Sequence, residues 1–150
     1  MARWLIALLG NLGSDSAYSL VEAGIKLDGE SLGDCVFVDA TVSVIDLAAR
    51  ADELGAEELV LVIPEYEGPP GLYCDRTVEP EGDPESIPAD QLVRRLWQNL
   101  TGSLDPDDYI EALRIFWRRS FLICRCRPGE RPCTEILLEE LEPLCNKPTR

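Results

Sequence analysis

Residues 4–15 read Trp4-Leu5-Ile6-Ala7-Leu8-Leu9-Gly10-Asn11-Leu12-Gly13-Ser14-Asp15, and this stretch decides the fold. The apolar run Trp4–Leu9 predicts a buried strand. Gly10-Asn11-Leu12-Gly13 predicts a tight turn, and a helical pattern starts straight after Asp15. Strand, glycine turn and helix N-terminus make the first corner of an open α/β sheet. Ligands in such sheets bind beyond the carboxyl ends of the strands, so this corner is expected to wall any site.

The rest of the chain repeats the alternation. Ala17, Leu20, Val21, Gly24 and Ile25 recur at helical spacing, with Ser14, Asp15 or Ser16 as cap and Asp28-Gly29-Glu30 as stop. Cys35–Ala40 predicts a second strand with Asp39 at its carboxyl end. Ser43 and Asp46 suit a capping box before a helix with Val44, Leu47, Ala48, Ala51 and Leu54 inward and Gly55 at its end. Leu59–Ile63 is a continuous apolar run, as expected of a parallel strand covered on both faces, and Pro64 ends it. Leu72–Val78 reads as an edge strand, with antiparallel pairing open to it. Glu79–Asp90 reads as an acidic, proline-rich loop. Two helices are then expected, on the stripes Leu92–Leu100 and Tyr109–Trp117. A strand at Phe121–Cys126 follows, and a last helix capped by Thr134, with Leu137, Leu138, Leu141 and Leu144 inward. The expected fold is one α/β domain: a mainly parallel open sheet of about five strands with helices on both faces.

Composition removes whole classes of function. The 150 residues carry 28 Asp+Glu against 14 Lys+Arg, a net charge of −14. Such a chain repels phosphate backbones and anionic lipid, so neither nucleic acid nor a membrane surface is an expected partner. There is no histidine, which excludes Ser-His-Asp and Cys-His catalysis and His-based zinc sites within the chain. No apolar run approaches the ~18 residues of a membrane span. Arg3 and the run Trp4–Leu9 fall short of a secretory signal, whose apolar part needs about 7–15 residues. A cytoplasmic protein is therefore expected, with Cys35, Cys74, Cys124, Cys126, Cys133 and Cys145 as free, mostly buried thiols.

Three carboxylates stand out. Asp15, Asp39 and Glu65 each follow a different predicted strand, and a parallel sheet would bring all three to one rim. Clustered there, they could bind a divalent metal through oxygen or share a proton. Taken singly, Asp15 is a helix cap, and Asp39 and Glu65 are solvated turn residues. The glycine corner lacks both G-x-G-x-x-G and G-x-x-x-x-G-K-[ST], and Asp15 would repel a phosphate there.

These residues resemble a known family. Gly10-Asn11 followed by Asp15 is similar to the loop after the first strand of hydrogenase maturation proteases. Those enzymes trim the C-terminus of nickel–iron hydrogenase large subunits after nickel insertion. Val36–Leu47, VFVDATVSVIDL, is similar to their second strand and following helix. Leu59–Gly71, LVLVIPEYEGPPG, is similar to their third strand and its Pro-Gly turn. The late strand and terminal helix follow in the same order.

The resemblance has gaps. The family's metal ligands are an acidic residue in the first loop, an Asp closing the third strand and a His before a later helix. Here Ser16 aligns with the first, Val62 with the second, and the third has no counterpart. The resemblance implies a three-layer α/β sandwich of the phosphorylase/hydrolase kind and a nickel–iron hydrogenase large-subunit precursor as partner. It implies nickel carried by that substrate, with no cofactor of the protein's own assigned. Asp15 and Glu65 become candidate metal contacts, with Asp83 or Glu85 as a third oxygen. Gly10, Asn11 and Asp39 would line the site. Catalytic residues are left unassigned, and a non-catalytic docking module derived from the family is the alternative.

Overall fold

The computed structural model describes residues 3–10, 18–40, 47–65, 68–79 and 119–146. Ten elements run through them: β1 (Trp4–Leu8), α1 (Tyr18–Leu27), β2 (Ser31–Leu32), β3 (Cys35–Asp39), α2 (Leu47–Leu54), β4 (Glu58–Pro64), β5 (Gly71–Val78), β6 (Phe121–Arg127), α3 (Cys133–Glu140) and α4 (Glu142–Cys145). The sheet has six strands, in the order β2-β3-β1-β4-β6-β5. The four inner strands run parallel, while β2 and β5 pair antiparallel at the two edges. The strand missing from the sequence reading is β2. Two residues are too short to carry a period-2 signal, and β2 exists because the Gly33-Asp34 turn (Gly33 φ +56°) folds the chain back onto β3.

The parallel strands are apolar because both faces are covered. Along β1, Leu5, Ala7 and Leu9 face one core with Leu47 and Ala51 of α2. Ile6 and Leu8 face the other, with Leu20, Ala23 and Leu27 of α1 and Ile136 and Leu137 of α3. Three layers result. The path from β1 to β3 stays on one side of β1, and the path from β3 to β4 crosses to its other side. Strand order therefore reverses between β1 and β4, the switch point where open α/β sheets place their ligand crevice.

Several local expectations change. Ile25 was expected to face inward, but it is 69% exposed, and α1 seats itself on Leu20, Ala23, Gly24 and Leu27 instead. Leu138 likewise faces outward. Thr134 does not cap α3. The N-cap is Pro132, and the Thr134 hydroxyl is buried with no hydrogen-bond partner among the described residues. A trans cap replaces it, with Ser19 Oγ on α1 accepting the Cys133 N–H at 2.7 Å. The terminal helix also breaks at Leu141, because Pro143 starts a separate short helix.

The largest correction concerns sulfur. Cys35 is bonded to Cys145, and Cys74 to Cys124, so four of the expected free thiols are cystines. Cys74 and Asp75 together stand opposite Cys124, at a bulge between the Tyr73↔Arg125 and Arg76↔Ile123 pairs. The Gly33 turn is pressed against Cys145, whose carbonyl accepts the Asp34 N–H at 2.7 Å, and that brings the start of β3 onto α4. Neither meeting leaves a spacing signal in the sequence. The predicted helices between residues 92 and 117, Ser43, Val44, Asp46 and the loop carrying Asp83 and Glu85 lie outside the described residues.

Candidate functional site

The carboxyl rim of the sheet is built by register. Leu8 pairs with Asp39 on one side and Val62 on the other, and Val62 pairs with Cys124. The ladder runs on past β1, since Leu9 N–H donates to Val62 O and Ala40 N–H donates to Leu8 O, both at 2.9 Å. Gly10 follows, buried at the switch point. A Cβ there would stand 2.8 Å from Val21 Cγ2 and 3.0 Å from the Val21 nitrogen, so only glycine lets α1 close over the strand end. The corner is thus a packing device as well as a turn.

Asp39 shares the face of β3 that carries Cys35 and Phe37, the α1 face. Its side chain lies against Gly24, where an added Cβ would be 2.8 Å from Oδ1. Its backbone N–H donates to Asp28 Oδ1 at 2.9 Å, and Arg50 lies 3.8 Å from the same oxygen. Asp28, read from sequence only as a helix stop, thereby joins α1, β3 and α2.

Glu65 sits just past β4. Its N–H donates to Cys126 O at 3.1 Å. Its Oε2 takes two bonds from Arg127 at the end of β6, from Nε at 3.1 Å and Nη2 at 3.0 Å. The Arg127 guanidinium also stacks 4.3 Å from the centre of the Tyr73 ring, and the Tyr73 hydroxyl donates to Pro69 O at 2.9 Å. Gly68 closes the cluster at φ +111°, so tight that a Cβ would meet Arg127 Nη1 at 2.3 Å. The Pro69-Pro70-Gly71 turn is therefore tied to Glu65 through one arginine and one tyrosine.

Asp39 and Glu65 thus share a rim but not a face. Asp39 follows the alternation of Leu8 and Val62, and Glu65 that of Ile63, on the α2 side. They also stand two strands apart, roughly 10 Å at the usual strand spacing. Asp15 and Asn11 lie outside the described residues. Among the described residues, no group of three His, Cys, Asp or Glu could hold a metal ion. Glu65 gives Oε2 to Arg127 rather than to a shared cluster. Asp39 and Glu65 do not by themselves form a metal site.

Sequence reading missed Arg127 and Tyr73. A signal existed in the strand FLICRCR, where Arg125 and Arg127 alternate with Cys124 and Cys126 and so share one face at the end of a strand. It also missed an apolar groove of about 590 Å³ on the other face, between β5, β6 and α3–α4. Leu72, Cys74, Leu122 and Leu144 line it, and Glu140 sits at its edge, with Oε2 accepting the Leu72 N–H at 3.2 Å. Among the described residues, no helix is long and apolar enough to cross a membrane.

No protein-family model matches the chain, and no curated protein matches it. Among solved structures it is similar to a hydrogenase 2 maturation peptidase from Thaumarchaeota archaeon SCGC_AB-539-E09. The two are 17% identical, with 97% of this chain and 99% of that one covered and a TM-score of 0.46.

Proposed function

We propose that this protein is a cytoplasmic maturation factor that recognises the large-subunit precursor of a nickel–iron hydrogenase at the carboxyl rim of its sheet. One observation carries the reading. Of the three stretches that resemble hydrogenase maturation proteases, the first begins just past the end of β1 and the other two contain most of β3 and β4, three neighbouring parallel strands that flank the switch point. A chain folded otherwise would scatter them. Nickel enters as part of the substrate. Asp15, in the loop after Gly10 and Asn11, is the first candidate contact for it. Glu65, held by Arg127, is the second, and Asp39 braces α1 behind the rim.

If the protein is active, the reaction is hydrolysis of one peptide bond near the precursor's C-terminus. The test is to mix the protein with nickel-loaded precursor and follow the C-terminal fragment by mass spectrometry. Cleavage abolished by Asp15→Asn is the expected result. An intact precursor, while an active maturation protease cuts it in parallel, would remove the enzyme reading.

A second reading has its own support. Glu65 is engaged in an ion pair, Val62 replaces the strand-end Asp, and histidine is missing altogether. A docking module that holds the precursor without cutting it would leave the same traces. Recovery of uncut precursor in a pull-down, lost in Asp15→Asn, distinguishes it from the enzyme.

A further inference from the structure

Two cysteines remain outside the cystines. Cys126, near the end of β6, and Cys133, the first residue of α3, are both buried, and their Sγ atoms stand 2.7 Å apart. That is closer than unbonded atoms of their size rest, since even carbon pairs settle at about 3.5–4.0 Å. The chain between them, Arg127-Pro128-Gly129-Glu130-Arg131-Pro132, makes an exposed turn whose Gly129 N–H donates to Arg131 O. Arg127 is anchored by Glu65 at one end, and Ser19 Oγ holds the Cys133 N–H at the other. Both flanks of the pair are thus fixed from outside. Four of the six cysteine sulfurs already carry bridges, so the chain meets disulfide-forming chemistry as it folds.

We propose that Cys126 and Cys133 form a third disulfide, closed by thiol–disulfide exchange, so that all six cysteines of the mature chain are held as cystine. The thiolate of one cysteine attacks one sulfur of an incoming disulfide, a mixed disulfide forms, and one thiolate leaves. The thiol of the other gives up its proton and attacks the protein sulfur of the mixed disulfide, and the second thiolate leaves. Two protein thiols are oxidised and the incoming disulfide is reduced to two thiols.

The exchange takes place before the turn seats, because in the folded chain both sulfurs are shielded from solvent. Closure leaves no charge on the buried pair and fastens the end of β6 to the start of α3. It needs neither a hydrogenase partner nor a catalytic site.

The experiment isolates the protein in the presence of an alkylating agent, unfolds it without reductant, and maps the digest by mass spectrometry. The expected result is a peptide pair joined through Cys126 and Cys133, with no alkyl group on either and separation on reduction. In Cys133→Ser, Cys126 is expected to be alkylated in full, against none in the parent. Alkylation of both cysteines in the parent, with the other two bridges intact, would overturn the proposal without touching the proposed function.

Discussion

The two faces of the sheet are held by different means. The core under α2 is aliphatic and aromatic, with Leu5, Val38, Leu61, Ile63 and Phe121, and among the described residues it contains no cysteine. The core under α1, α3 and α4 buries Cys35, Cys124, Cys126, Cys133 and Cys145. Chain distance explains the contrast. α2 connects β3 to β4 and covers the strands it joins. The other face is assembled from α1, near the start of the chain, and α3 and α4, near the end of the described residues. Ends that meet late gain most from a covalent tie, because a tie across a long loop removes more freedom from the unfolded chain.

The strongest way to break this contrast is to cut the ties. The Cys35–Cys145 bridge spans 110 residues and Cys74–Cys124 spans 50. The chain-entropy account then puts them at about 5 and about 4 kcal/mol. Replacing Cys35 and Cys145 together with alanine should cost more, in guanidinium unfolding, than replacing Cys74 and Cys124. An inverted order would mean that local geometry outweighs loop length. On the aliphatic face, Leu61→Ala should cost about 2–5 kcal/mol through the cavity it leaves. Because that face is not cross-linked, the loss should be the same with and without reductant. A loss that changes with reductant would show the two faces to be coupled.

The same contrast separates what was legible in the sequence from what was not. The parallel strands were legible because burial on both faces writes itself as unbroken apolar runs such as Leu59–Ile63. The glycine corner was legible because a strand end under a helix needs a small residue. Disulfide partners were not, since any pairing of the six cysteines satisfies the composition, and the expectation of free thiols followed from the compartment rather than the chain. Disulfides also persist inside the cells of hyperthermophiles, so a compartment expectation alone does not decide the state of a cysteine. The Glu65–Arg127 pair was hidden for another reason. It joins β4 to β6 across 62 residues of sequence, and only the strand order makes them neighbours.

Two glycines under α1 sharpen the comparison at smaller scale. At Gly10 a methyl group meets the Val21 backbone, which is fixed in a helix. Gly10→Ala should therefore cost about 1–3 kcal/mol, the range of overpacked cores. At Gly24 the obstacle is the end of the Asp39 side chain. That end can move, and alanine recovers up to about 1 kcal/mol of helix propensity. Gly24→Ala should therefore leave the thermal midpoint nearly unchanged. Equal losses at both positions would mean that Asp39 is as rigidly held as a helix backbone.

A modest effect on stability carries the most for function. Glu65 and Arg127 are about three-quarters or more shielded, at 25% and 20% side-chain exposure, so their pair lies between the surface and buried regimes. Arg127→Met should cost about 1–2 kcal/mol, mainly because it leaves a half-buried carboxylate without its partner. If so, Glu65→Gln on top of it should restore most of the loss, since no charge is then stranded, and a double-mutant cycle measures the coupling. Stability and recognition part company in that double variant. Under the proposed function the rim carboxylate faces the precursor, so precursor binding should stay weakened about tenfold, near 1.4 kcal/mol, even where stability returns. Were binding to return together with stability, Glu65 would be a strut for the Pro69-Pro70-Gly71 turn and nothing more. The search for a substrate contact would then narrow to Asp15.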